Sequence, residues 1–219
     1  MAEEVGAGGG RRGMLLVVSG PSAVGKGTLI RALLERHEDI EWSVSCTTRQ
    51  ARPGERDGVD YHFVSEEEFA RMRAAGELLE SALVHGRDHY GTPREPVERA
   101  LAEGRDIVLE IDYQGARSVR AAMPEAVMVF VAPPSIEALL QRLSARKTES
   151  SEAVRRRMDS ARIEFARMGM FEYILINDDL EAAVEGLEAI YLAERMKVWR
   201  SGWGGLQSRL VEGLEEERT

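Results

Sequence analysis

The stretch Gly20-Pro21-Ser22-Ala23-Val24-Gly25-Lys26 constrains this chain more than any other. Two glycines bracket four residues and a lysine closes the pattern, which is the spacing of a loop that cradles phosphate. The physical demands on such a loop are narrow. It must turn so that successive backbone N–H groups face inward on an anion, and glycine permits that turn. A helix must begin directly behind it, so that its N-terminal partial charge adds to the field. The lysine must reach the terminal phosphates. The flanks meet these demands. Met14–Ser19 is a short apolar run that predicts a strand, and Thr28–His37 (TLIRALLERH) carries apolar residues at helical spacing. One position departs from the usual pattern. Gly27 stands where Ser or Thr normally offers a hydroxyl to Mg²⁺, and Thr28 carries a hydroxyl one position later, facing elsewhere on the helix. Thr28 is therefore a candidate metal ligand in competition with a water.

Further along, strands and helices alternate. Asp106–Ile111 (DIVLEI) reads as a buried strand followed by the helix GARSVRAAM. Val127–Ala132 (VMVFVA) is the longest unbroken apolar run and predicts a central parallel strand, with the helix IEALLQRL after Pro133-Pro134-Ser135. A charged helix over Glu152–Met168, a strand over Tyr173–Ile176 and an amphipathic helix over Leu180–Trp199 complete the pattern. This is the grammar of an α/β chain with a parallel, doubly wound sheet, whose ligands lie beyond the C-terminal strand ends. Between Trp42 and Pro93 the character changes. Turn formers and charges precede YHFV, a helix is capped by Ser65 with Glu68 three residues on, and LLESALVHGRDHYGT reads as a strand pair joined at Gly86–His89. That stretch is expected to be an insertion into the core.

Composition limits the partners. A net charge of −9 leaves no global footprint for nucleic acid or an anionic membrane, and no apolar stretch approaches the roughly 20 residues that span a bilayer. One cysteine, Cys46, rules out an intramolecular disulfide framework and fits a reducing cytoplasm. Residues 1–12 are acidic, then Gly-rich, then basic; without an apolar segment they predict a disordered leader rather than a secretory signal. Four scattered histidines have no metal-ligand spacing. A homo-oligomer is neither required nor excluded.

The loop supplies a donor, and a second group of residues suggests an acceptor. Arg49 and Arg52 lie three apart beside a Pro-Gly turn, so two guanidiniums can grip one phosphate. Tyr61 and Tyr90 add hydroxyl donors, Glu80 falls on a strand, and Thr92 follows Tyr90.

Taken together, SGPSAVGKGTL, SVSCTTRQARPGERDGVDYHFV, GELLE, YGTP, LEIDYQGA, VFVAPPS, RKTES and INDDL resemble the guanylate kinase family, the bacterial form in particular, over roughly Gly13–Ala193. The resemblance implies a P-loop NTPase core (13–44, 94–137 and 165–199), an inserted GMP-binding subdomain (45–93), a small helical lid (138–164) and a C-terminal extension (200–219). It implies transfer of the γ-phosphate of ATP to GMP with Mg²⁺. By residue, it places Gly20, Pro21, Ser22, Ala23, Val24, Gly25, Lys26, Gly27, Thr28 and Asn177 with ATP, the last near the adenine. It places Ser45, Glu80, Thr92 and Asp112 with guanine. Arg49, Arg52, Tyr61 and Tyr90 fall with the GMP phosphate. Lys26, Arg142, Arg146 and Arg157 are the catalytic cations. Glu80 suits guanine because a carboxylate accepts from N1–H and N2–H₂ while a hydroxyl meets O6. Glu110 and Asp112 end a strand beside the loop, and either can hold Mg²⁺ through water. Ser81, Lys147 and a longer HGRDHYG turn depart from the family. A catalytically silent protein-binding relative, or a kinase for another nucleoside monophosphate, are the competing readings; the presence of Lys26, Arg49, Arg52, Glu80 and Arg146 argues against them.

Overall fold

In a computed structural model, residues 11–84, 86–144 and 151–216 are described. In chain order the elements are β1 (Leu15–Ser19), α1 (Lys26–Arg36), β2 (Ile40–Trp42), β3 (Cys46–Thr47), β4 (His62–Phe63), α2 (Glu66–Ala74), β5 (Leu78–Val84), β6 (Asp88–Pro93) and α3 (Arg94–Ala102). Then follow β7 (Asp106–Glu110), α4 (Tyr113–Ala122), β8 (Val127–Ala132), α5 (Ile136–Ser144), α6 (Ser151–Arg167), a 3₁₀ turn (Met168–Met170), β9 (Tyr173–Ile176), α7 (Leu180–Arg195) and α8 (Gly204–Glu216).

Five strands form a parallel sheet in the order β2-β7-β1-β8-β9. Alternation along β1 shows why both faces are covered. Leu16 and Val18 pack with Leu29, Ile30 and Leu33 of α1 and Val184 and Leu187 of α7. Leu15 and Val17 face the other way, onto Val97 and Ala100 of α3 and Ala116 and Val119 of α4. A strand buried on both faces is apolar at every position, so its sequence shows no alternation. The unbroken run Val127–Ala132 does lie inside the sheet, but the middle strand is β1, with β8 beside it. Continuous apolarity separates interior strands from edges and does not rank the interior ones. The edge strand β9 leaves Ile174 and Ile176 exposed. The opposite edge, β2, has only three residues and a charged middle, too weak a pattern to read from sequence.

A second sheet, in the order β4-β3-β6-β5, carries the hairpin β5–β6. Phe69 of α2 packs there with Cys46 and Leu78, and Ser65 caps α2 by accepting from the Glu68 N–H at 3.1 Å. Burial pushes the Cys46 thiol up to about 11, which fits a packing role rather than a nucleophile. His85 lies outside the described residues.

The N-terminal ends of the strands are stapled by one acid. Asp106 is fully buried; its carboxylate accepts from the Met14 N–H at 2.8 Å and the Tyr191 hydroxyl at 2.9 Å, and pairs with Arg11 and with Arg195. Arg12 donates its backbone N–H to Arg200 at 3.1 Å. Composition assigned Arg11 and Arg12 to the leader, yet both are joined to the core. Residues 1–10 lie outside the described residues. With one sheet end stapled, the opposite strand ends are left to carry a site. Replacing Asp106 by Ala leaves the Met14 N–H, the Tyr191 hydroxyl and two arginines without their acid. It is expected to cost about 3–5 kcal/mol in urea unfolding, against about 1 kcal/mol for Tyr191→Phe.

Candidate active site

The loop between β1 and α1 stands at the C-terminal end of the parallel sheet. Gly20 takes φ 138°, and a Cβ there would lie 2.2 Å from the Val131 carbonyl oxygen, so β8 tolerates no side chain at this point. Gly25 takes φ 100°, with a Cβ position 2.5 Å from Asn177 Nδ2. Lys26 opens α1 and curls back over the loop. Its Nζ donates to the carbonyls of Gly20 at 2.7 Å and Pro21 at 3.2 Å, and stands 4.0 Å from Glu110 Oε1.

The loop is gripped from outside. Asn177, at the end of β9, is buried and donates from Nδ2 to the Val24 carbonyl at 2.8 Å. Arg142 of α5 donates to the same carbonyl at 3.4 Å and to the Asn177 carbonyl at 2.9 Å. Arg157 of α6 donates to Ser22 Oγ at 2.8 Å. Two of the sequence-read arginines therefore already reach the loop; Arg146, like Lys147, lies outside the described residues.

On the acidic side, Glu110 ends β7. A Cβ on Gly27 would stand a tight 3.1 Å from Glu110 Oε2 and 3.5 Å from the Trp42 ring, so this position lies close against the carboxylate. Thr28, one position around the helix, is exposed. Asp112 is the N-cap of α4: its Oδ1 accepts from the Gly115 N–H at 2.9 Å, and its Oδ2 accepts from Gln114 Nε2 at 3.2 Å. The same position that suggested a metal or guanine contact thus also starts a helix.

The acceptor group lies on the second sheet. Glu80 and Thr92 are directly opposite in the β5–β6 register, which accounts for their separation in sequence, and both are buried. Thr92 Oγ1 donates to Glu80 Oε1 at 2.7 Å. Burial pushes the Glu80 carboxyl up to about 7, Asp112 adds to the rise, and Thr92 opposes it. Arg49 donates from Nε to the Tyr90 hydroxyl at 3.0 Å and forks onto both oxygens of Glu55, at 2.8 and 3.0 Å. Its guanidinium lies 5.2 Å from the Tyr61 ring centre. Burial, with Glu110 next in weight, pushes the Tyr61 hydroxyl up to about 12. Arg52 is exposed and joins the group through its backbone N–H, which donates to Glu55 at 2.7 Å. Ser45 is half-buried before β3, its carbonyl accepting from His62 N–H at 2.9 Å.

Two residues escaped the sequence reading. Glu55 orders Arg49, and its only signal is its place three residues after Arg52 in the Arg-Pro-Gly-Glu turn. Glu164, on α6, is 6% exposed, and its Oε2 has no hydrogen-bond partner. Burial pushes its carboxyl up to about 7; Lys26 pulls it down and Asp112 pushes it up. In so charged a helix nothing marks one glutamate as the buried one.

The guanylate kinase family model matches residues 12–194. The chain is 54% identical over 203 residues to the guanylate kinase of Symbiobacterium thermophilum, covering 92% of this chain and 95% of that one. It is 46% identical over 206 residues to the guanylate kinase of Clostridium perfringens, covering 94% and 93%. The crystal structure of guanylate kinase from Anaplasma phagocytophilum superposes with a TM-score of 0.71 at 35% identity, covering 87% of this chain and 90% of that one.

The raised Glu164 carboxyl has a thermodynamic consequence. The folded state holds this proton more tightly than the unfolded chain, so its stabilising contribution is present at low pH and is lost as pH rises through about 7. Glu164→Gln removes that loss. In denaturant unfolding the variant is expected to gain on wild type between pH 5 and pH 8 by about 2–3 kcal/mol.

Proposed function

The chain belongs to the guanylate kinase family, which transfers the γ-phosphate of ATP to GMP giving ADP and GDP, and from that premise we propose how its residues divide the work. The phosphates of ATP sit on the backbone of Gly20–Gly27, with Thr28 at the start of the helix behind. Lys26 exchanges the carbonyls of Gly20 and Pro21 for the β- and γ-phosphates, a charge-assisted bond for two neutral ones. Asn177 supports the adenine side by holding the loop through Val24.

Glu80 reads guanine. Its charged form accepts from N1–H and N2–H₂, while Ser45 offers its hydroxyl to O6 and Thr92 holds Glu80 in place. Asp112 stands beside Glu80 and completes the acidic edge that meets the amino group. Adenine presents an acceptor where guanine has N1–H, so it leaves a buried carboxylate unpaired. Arg49, Arg52, Tyr61 and Tyr90 hold the GMP phosphate, whose oxygen attacks the γ-phosphorus. That oxygen already carries charge, so no protein base is required; positioned cations do the rest. Arg142 and Arg157, with Arg146, neutralise the moving phosphoryl group; the two carbonyls that Arg142 meets and the Ser22 hydroxyl that Arg157 meets are weaker acceptors than phosphate.

Mg²⁺ is the cation this donor set fits. Among the described residues no group of three or more His, Cys, Asp or Glu side chains could form a protein cage for a metal. Mg²⁺ keeps most of its waters and takes a carboxylate plus substrate phosphates. Glu110, at the end of its strand and 4.0 Å from Lys26 Nζ beside the loop, suits such a hydrated ion, and Thr28 and Asp112 are the other candidates. When bound, the metal would neutralise phosphate charge.

The observation that carries this reading is the buried pair Glu80–Thr92, a charged acceptor and a hydroxyl set across two strands. ADP formation from Mg·ATP, assayed with GMP, dGMP, AMP, UMP and no acceptor, is expected only with GMP and, more slowly, dGMP. Glu80→Gln turns one acceptor into a donor facing guanine. It is expected to lower kcat/KM for GMP about 10- to 100-fold, the equivalent of ~1.5–3 kcal/mol. A change within about twofold would remove Glu80 from guanine recognition.

A further inference from the structure

Gly115 is the third residue of α4 and is buried. Glycine is the poorest helix former after proline, so its place in a first turn calls for a reason. The reason is on the facing strand. A Cβ at Gly115 would stand 2.6 Å from Glu80 Oε2, 3.1 Å from Glu80 Cδ and 3.3 Å from Ile111 Cβ. No real side chain accepts the first of these distances. The backbone at this point is held: Asp112 Oδ1 takes the Gly115 N–H at 2.9 Å, and Ile111 packs behind it. The other side of the contact is the tip of a side chain, anchored through Oε1 by Thr92 at 2.7 Å. A methyl group at 115 would therefore displace the carboxylate before it displaced the helix.

We propose that the bare position at Gly115 is a specificity determinant, a positioning residue that lets the Glu80 carboxylate lie against the first turn of α4 in the orientation that meets guanine. The inference rests on the assignment of Glu80 to guanine. It makes the acceptor pocket a three-part fitting: Thr92 fixes one oxygen of Glu80, Gly115 leaves room for the other, and Asp112 fixes the helix that supplies the room. Gly186 of α7 provides the contrast. A Cβ there would also meet a near neighbour, Leu175 Cδ1 at 2.7 Å, but that neighbour is an apolar side chain packed on the far face of the sheet.

The test is steady-state kinetics on the full chain with GMP and with IMP, which lacks the 2-amino group, for wild type, Gly115→Ala, Glu80→Gln, Gly186→Ala and the double variant Glu80→Asp/Gly115→Ala. Gly115→Ala is expected to raise KM for GMP about tenfold or more and to leave kcat at saturating GMP within about threefold, with KM for ATP unchanged. The preference for GMP over IMP should shrink at least about fivefold. A shorter carboxylate clears the added methyl, so the double variant should recover part of the lost KM. Gly186→Ala, a purely structural change, should shift Tm and leave both KM values and the GMP preference in place. A folded Gly115→Ala enzyme with KM for GMP within about twofold of wild type would overturn the proposal. If Gly115→Ala does not fold, the double variant must, and failure of both also overturns it. If Glu80→Gln leaves the GMP preference intact, the guanine assignment falls and takes this inference with it; if only Gly115→Ala is silent, the assignment stands and the inference alone is wrong.

Discussion

The carbonyl oxygen of Val24 is the joint on which this molecule turns. It accepts from the amide of Asn177 and from the guanidinium of Arg142, and Arg142 reaches on to the carbonyl of Asn177. A phosphate loop works by aiming backbone N–H groups inward, so its carbonyls must be taken up elsewhere. Here they are taken up by the end of an edge strand and by a helix that otherwise belongs to a different layer. Lys26 adds the carbonyls of Gly20 and Pro21 to the same account. The shape of the loop is thus set by groups drawn from β9, α5 and α1, and the sheet order that brings them together is part of the site.

Around the loop the electrostatics are arranged as tension. Glu80 and Glu164 are both buried, both raised to about 7, and both pushed up by Asp112. Burial disfavours their charged forms, and only Thr92 for the one and Lys26 for the other oppose it. Such groups cost the free protein stability at neutral pH. The cost is lowered by whatever brings hydrogen-bond donors. Under the proposed assignment guanine brings them to Glu80, so part of the binding energy comes from relieving a cost already present in the fold.

How legible this was in the sequence depended on range. The phosphate loop obeys rules that act over seven residues, and β1, β8 and β9 announce themselves by apolar runs that fall near or on their observed ends. The cap of α2 is likewise a three-residue rule. Contacts across strands are not local. Glu80 and Thr92 meet because of hairpin register, and only the family resemblance put them in one pocket beforehand. Arg11 and Arg12 sit in a segment whose composition says disorder, and a buried acid far along the chain overrules it. Glu164 and Gly115 carry no pattern at all. A buried glutamate in a charged helix, and a glycine opposite a carboxylate, acquire meaning only from what packs against them.

Under the proposed assignment, the pairing of Arg49 with Glu55 gives the phosphate end of the acceptor pocket a further property. Glu55 grips the guanidinium through both oxygens, the same fork that a phosphate would use. The arginine's hydrogen bond holds this carboxyl below the usual carboxylate range, so Glu55 stays charged well into mild acid. The pocket therefore contains its own counterfeit ligand. An incoming group must outbid a carboxylate, and with the phosphate assigned here a dianion does so while an uncharged nucleoside cannot. Under that assignment, internal competition of this kind acts as a threshold on charge and would select against guanosine, whatever the quality of its base.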